Sequence, residues 1–229
     1  MCGRFALATI ENLFTRFAVV EQEVEFRPHY NIAPTQHVPV IVSGGSNHIE
    51  LMRWGLIPHW AKDEKIGHKL INARSETVPT KPMFKYLLGK KRCLVPANGF
   101  YEWKKENGKT PYYIRRVDEE LFAFAGLYDH WKEPGGEVIK TFIILTTGPN
   151  ETVGAIHDRM PVVLRREHED AWVGMRELSG DTLREMFLAY PDEELEAYPI
   201  STKVNDPTNE GREIIEPVRQ SGQASMDDF

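Results

Sequence analysis

The second residue is a cysteine. In the opening stretch Met1-Cys2-Gly3-Arg4-Phe5, removal of Met1 leaves one residue bearing both an α-amine and a thiol. The ordinary α-amine titrates at about 7.7–8.0, so part of it is neutral and nucleophilic near pH 7. The free thiol titrates near 8.5, and its thiolate is the stronger nucleophile. A 1,2-aminothiol is matched to an aldehyde. The amine condenses to an imine, and the thiol then closes a five-membered thiazolidine, an intramolecular step with a large effective molarity. The same residue also suits acyl transfer, as in amidohydrolases with an N-terminal nucleophile.

Three segments supply partners for either chemistry. In Ile71–Glu76, INARSE, Asn72 and Arg74 alternate and share one face of a strand. An amide beside a guanidinium fixes a polar ligand, and Arg suits phosphate. In Asn98–Lys105, NGFYEWKK, Glu102 lies between Tyr101 and Trp103. Desolvation there lifts a carboxyl toward the range useful for general acid–base work. In Ala155–Pro161, AIHDRMP, His157 stands between a loop and an apolar strand, where an imidazole can shuttle a proton. Asp158 and Arg159 follow it, one suited to orienting the ring and the other to holding an anion. A fourth segment, RWGLIPHWAK, sets Trp54 and Trp60 beside Arg53, His59 and Lys62. Aromatic and basic groups on one loop can stack on unpaired bases and hold a backbone. With no C-x-x-C, no H-E-x-x-H and no Gly-rich phosphate loop, the reading includes no metal and no cofactor.

These residues need elements to position them. Ile10, Leu13, Phe14 and Phe17 recur at helical spacing behind Thr9, which reads as an N-cap. VPVIVSGGSNHIELMRW reads as strand, Gly-Gly turn, strand. The stretch from Lys91 to Val117 reads as strands around an Asn107-Gly108 hairpin turn. LFAFAGLYDHW and IKTFIILTT flank another turn, and about 167–189 is helical, with Trp172, Met175, Leu183 and Phe187 inward. Successive strands on tight turns predict one α+β domain: a mainly antiparallel, curved or barrel-like sheet with flanking helices. The polar end, residues 219–229, is expected to be a disordered tail.

The chain has 229 residues and a net charge of −6, enough length for a sizeable core in one domain. The charge is uneven. Residues 50–120 hold 15 Lys and Arg against 9 Asp and Glu, whereas residues 167–229 hold 5 against 16. A basic middle can present a face to an anionic partner despite the acidic total. Two cysteines make no disulfide framework, and no apolar run is long enough for a membrane span. With no signal peptide evident, a cytoplasmic location is expected.

Taken in order, MCGRF, YNIAP (Tyr30–Pro34), RWGLIP (Arg53–Pro58), INARSE, GFYEW (Gly99–Trp103) and HDRMP (His157–Pro161) resemble the SRAP (SOS response-associated peptidase) family. The likeness runs from residue 1 to about 218. It implies a protein that attaches covalently to abasic sites in single-stranded DNA, acting as a nucleoid-associated monomer. The implied catalytic residues are Cys2, Asn72, Glu102 and His157. Cys2 ends as a thiazolidine on the ring-opened sugar, Asn72 helps position the N-terminal residue and sugar, Glu102 orients the amine and shuttles protons, and His157 assists ring opening. The implied DNA contacts are Arg4, Arg74 and Arg159 on phosphates, with Asn31, Trp54, Trp60 and Met83 along the strand or against bases. The family name carries the alternative of a cysteine peptidase whose peptidase-like act is removal of Met1. A strand-cleaving lyase and a noncatalytic single-strand binder complete the alternatives. Tyr101 stands where Phe is expected in the motif, adding a phenol whose proximity to Glu102 would weaken the desolvation argument.

Overall fold

The computed structural model describes residues 2–20, 25–106, 108–174 and 176–218. Its spine is a hairpin of the two longest strands, β9 (Phe122–Lys132) and β10 (Val138–Thr147), in register from Val138 opposite Lys132 to Ile144 opposite Gly126. β9 pairs on its other side with β6 (Arg92–Ala97). β6 meets β3 (His37–Ser43), β3 pairs with β4 (Asn47–Trp54), and β4 returns to β10. The ring β10–β4–β3–β6–β9 therefore closes, which leaves its strands without free edges. Gly126 shows how tight the closure is: a Cβ there would lie 2.7 Å from Cys93 Sγ and 3.0 Å from Val95.

The expected α+β architecture with a barrel-like sheet is what the chain adopts. The barrel, however, is mixed rather than wholly antiparallel. β10 runs parallel to β4 and also to β5 (Asn72–Arg74), with Ile144 opposite Asn72 and Thr146 opposite Arg74. Parallel pairs need long crossovers instead of tight turns, so turn chemistry does not reveal them. Further along, β10 pairs with the two-residue β11 (Met160–Pro161).

A second, antiparallel sheet leans on the barrel in the order β12–β8–β7–β1–β2. Its strands are β1 (Phe5–Leu7), β2 (His29–Ile32), β7 (Gly99–Lys104), β8 (Thr110–Arg116) and β12 (Leu195–Pro199). The two layers share an aromatic core. Phe5 meets Trp54 edge-on at 5.2 Å and Phe124 at 5.7 Å between ring centroids, and Trp54 stacks on Phe142 at 6.4 Å. Among the described residues, five short α-helices flank the sheets: α1 (Leu13–Arg16), α2 (Pro82–Lys90), α3 (Glu151–Gly154), α4 (Arg166–Val173) and α5 (Gly180–Met186).

Two local expectations change. The first helix begins at Leu13 behind Asn12, not behind Thr9. The Thr9 amide instead donates to Asn98 Oδ1 at 3.0 Å, alongside Ala8 at 2.7 Å, so the side chain leading into β7 holds the chain leaving β1. The helical stretch from 167 splits into α4 and α5; Trp172 is fully buried, and Leu183 and Phe187 are half-buried. Met175, Asn107, Met1 and the expected tail 219–229 lie outside the described residues. Among the described residues, no helix is long and apolar enough to cross a membrane.

Candidate functional site

Cys2 stands just before β1, and the neighbouring strands deliver its companions. It is fully buried. Asn72, the first residue of β5, donates through Nδ2 to the Cys2 carbonyl at 2.7 Å. The thiol of Cys2 approaches the Arg4 carbonyl at 3.7 Å, and that carbonyl also accepts from Tyr101 N–H at 3.0 Å. Cys2 is thus held at its carbonyl by β5, while its thiol meets the Arg4 carbonyl that β7 fixes. Asn72 Oδ1 is buried with no hydrogen-bond partner among the described residues, an acceptor left over for a donor.

Glu102 is on β7 and is 3% exposed. Strand alternation turns Tyr101 and Trp103 to the opposite face, where they join a separate apolar cluster with Tyr113 and Val204. The Tyr101 phenol donates to the Tyr30 carbonyl, so it does not reach Glu102 and the expected weakening of that environment does not arise. Burial pushes the Glu102 carboxyl above its ordinary value, with the nearby His157 pulling the other way. His157 follows α3 and places Nε2 3.9 Å from Glu102 Oε2. Arg159 N–H donates to His157 Nδ1 at 3.1 Å, which puts the proton of a neutral ring on Nε2, the nitrogen facing Glu102. The exposed Asp158 carboxylate stands 3.0 Å from Nδ1.

Burial also pushes the Cys2 thiol up, and the Glu102 charge adds to the effect. A cysteine peptidase needs the opposite, a thiolate held ready at neutral pH. A thiol that stays protonated until an imine has formed beside it is compatible with this environment.

The raised Glu102 carboxyl has a consequence for stability. The fold favours the protonated form, so stability is fully present below the unfolded-state value of about 4.3 and falls as pH rises past it. Glu102→Gln is therefore expected to melt with the wild type at pH 4. At pH 8 it should melt higher, by about 2–4 °C for each ~1 kcal/mol of desolvation cost removed. Equal melting temperatures at pH 8 would mean that Glu102 carries no such cost.

The predicted DNA-contacting residues fall into three groups. Arg74 is exposed on the same strand as Asn72. Arg159 is mostly covered and is occupied by Glu76, with Nη2 2.9 Å from Oε2 and also donating to the Thr146 carbonyl at 2.7 Å. This pair holds the Glu76 carboxyl below its ordinary value. Arg4 is half-buried and bonds Asn31 Oδ1 at 2.6 Å and the Val204 carbonyl at 2.7 Å.

Trp60 and Met83 form the second group. Trp60 is 58% exposed. With Met83, Pro58, His59 and Tyr86 it lines a depression of about 430 Å³ that contains none of the four catalytic candidates.

The third group corrects the sequence reading. Trp54 is fully buried, packed among Phe5 and Phe142 with its indole N–H donating to the Ile71 carbonyl at 2.9 Å. It is a core residue, and no base can reach its faces. Asn31 is likewise fully buried, and its amide serves Arg4 and the chain near Asp206 and Asn209, leaving it no access to a DNA strand. Conversely, Glu76, Thr146 and the 203–210 segment belong to the surroundings of the site and were not anticipated. Glu76 alone carried a signal, because it continues the alternation of Asn72 and Arg74.

Comparison with known proteins shows the family. Residues 1–207 match the sequence profile of the family described as SOS response associated peptidase (SRAP). The chain is 45% identical over 222 residues to the abasic site processing protein YoaM of Bacillus subtilis, covering 94% of this chain and 98% of that one. It is 35% identical over 233 residues to the abasic site processing protein HMCES of Gallus gallus, covering 86% of this chain and 68% of that one. A solved structure of a protein from Bacteroides thetaiotaomicron superposes with a TM-score of 0.86 at 30% identity, covering 95% of this chain and all of that one. By sequence over nearly its whole length, and by fold, the chain belongs to the SOS response associated peptidase (SRAP) family.

Proposed function

We propose that this protein processes abasic sites in single-stranded DNA by forming a thiazolidine between Cys2, freed of Met1, and the ring-opened deoxyribose. The observation that supports it most is the grip of Asn72 on the Cys2 carbonyl beside the Glu102–His157 pair. It holds the future amine and thiol next to a desolvated carboxyl and an imidazole, in a chain whose relatives are named abasic site processing proteins.

The steps follow from those groups. The closed sugar opens when its anomeric hydroxyl loses a proton and its ring oxygen gains one, exchanges suited to the His157 ring and Glu102. Glu102 takes a proton from the Cys2 ammonium. The freed amine adds to the aldehyde carbon, and the carbinolamine loses its oxygen as water to give an imine. Sγ then adds to the imine carbon, its proton passing to the nitrogen, and the ring is closed. Asn72 Oδ1 accepts a hydrogen bond from the sugar or the amine. If β-elimination outruns ring closure, the imine cleaves the strand, which is the lyase branch. Removal of Met1 precedes all of this; we assign it to self-processing at the Cys2 site, a single event that does not need the standing thiolate of a peptidase that turns over. Arg4, Arg74 and Arg159 hold phosphates, Trp60 and Met83 meet bases, and the protein acts as a monomer on DNA in the nucleoid.

The test is incubation of the mature protein with single-stranded DNA carrying one abasic site. A heat-stable band of retarded mobility on a denaturing gel is expected; salt-sensitive binding with no such band overturns the reading. A second expectation concerns Arg159, whose fork Glu76 occupies. A phosphate must displace that carboxylate, so Glu76→Gln is expected to tighten binding to single-stranded DNA several-fold. It should also steepen the dependence of log K on log salt by roughly 0.7, the value of one added phosphate contact. An unchanged affinity and slope in Glu76→Gln would remove Arg159 from the phosphate contacts.

A further inference from the structure

Asn31 uses its whole amide. Oδ1 accepts from Arg4 Nη1 at 2.6 Å, and Nδ2 donates to the carbonyls of Asp206 and Asn209 at 2.9 Å each. Arg4 Nη1 also donates to the Val204 carbonyl at 2.7 Å, and Val204 is itself fully buried. More bonds tie the same segment down. Trp103 Nε1 donates to Asn205 Oδ1 at 2.7 Å, and Tyr30 N–H donates to Glu210 at 2.9 Å. The Arg4 guanidinium lies 6.0 Å from the centre of the Trp103 ring. Residues 203–210 are therefore wrapped round one buried amide that also holds the arginine two residues from Cys2.

We infer that Asn31 is a positioning residue for the proposed reaction. It fuses the 203–210 segment and the Arg4 side chain into one unit, which presents Arg4 to a phosphate in a single orientation. The inference rests on the proposed role of Arg4 as a phosphate contact. Only a carboxamide offers an acceptor for a guanidinium and two donors for main-chain carbonyls from one short side chain. Aspartate lacks the donors, and an apolar residue would take an acceptor from Arg4 and the donor from two main-chain carbonyls. A flexible arginine loses rotamer freedom on gripping a ligand, and holding it beforehand removes that cost. The Arg4 carbonyl meanwhile touches both Tyr101 N–H and the Cys2 thiol, so the residue that Asn31 fixes by its side chain is fixed at its main chain by the site.

The test compares wild type, Asn31→Ala, Arg4→Ala and the double variant, all freed of Met1. Single-turnover crosslinking to abasic single-stranded DNA is measured against DNA and salt concentration. Asn31→Ala is expected to raise the half-saturating DNA concentration about three- to tenfold, the loss of one charge-assisted contact, and to leave the maximal rate within about twofold. The salt slope should shrink by roughly 0.7, as in Arg4→Ala. The double variant should be no weaker than Arg4→Ala alone, because both changes remove the same interaction. Effects that multiply in the double variant, or an unchanged salt slope in Asn31→Ala, overturn the inference, as does an Arg4→Ala variant that binds like wild type. Adduct formation by the wild type tests the underlying reaction separately. If Asn31→Ala does not fold, Glu210→Ala loosens the same segment from its half-exposed rim. Half-saturation raised in that variant supports the inference, and half-saturation equal to wild type overturns it.

Discussion

Cys2→Ala is expected to eliminate the heat-stable adduct, lowering its yield by more than about 100-fold under conditions where the wild type reacts to completion. Alanine leaves the α-amine, so condensation with the aldehyde continues and borohydride should still trap the imine. What is lost is the thiol that converts a hydrolysable imine into a ring. Intramolecular closures of this kind reach effective molarities of about 10⁵–10⁸ M, which no free thiol in solution can replace. Strand cleavage should rise in the same variant, since elimination no longer competes with closure. A heat-resistant adduct at wild-type yield in Cys2→Ala would sink the thiazolidine mechanism.

A residue retained before Cys2 is expected to be as damaging. With Met1 in place the Cys2 nitrogen belongs to a peptide bond, and its lone pair is delocalised into the carbonyl. It cannot form an imine, and the thiol alone gives only a reversible hemithioacetal. Steric crowding works in the same direction, because Asn72 and the Arg4 carbonyl already hold Cys2 from two sides. The experiment places before Cys2 an extension that resists trimming, verifies it by mass spectrometry, and measures crosslinking to abasic single-stranded DNA. No heat-stable adduct should form. Adduct formation by the intact extended protein at the wild-type rate would mean that the Cys2 amine is not the reacting group.

The residues proposed to react were legible because their chemistry is local. An amine and a thiol on one residue imply an aldehyde or an acyl partner wherever the residue sits, and Glu102 between two aromatics on a strand implies a face opposite theirs. The positions of the main strands were legible for the same reason, since alternation and Gly-containing turns such as that at Gly136, with φ of 95°, act over a few residues. Pairing partners were not. The parallel contact of β5 with β10 joins Asn72 to Ile144, and the Arg159–Glu76 pair spans 83 positions. No short-range pattern encodes such contacts, because they form only when the barrel closes.

Side-chain type and spacing alone thus determined which groups have the chemistry for the proposed reaction and which side chains share a strand face. Tertiary structure decided which polar and aromatic residues face solvent at all. Trp54 and Trp60, six residues apart in one motif, show the division: the first fills the space between the barrel and the second sheet, and the second stands on the surface. Asn31 shows it again, because a chain segment 175 residues further on folds back over it and makes an internal hydrogen-bond partner of what reads as a DNA contact. Burial and desolvation are properties of the assembled packing around a residue, and a sequence motif, which fixes identity and spacing, does not contain them.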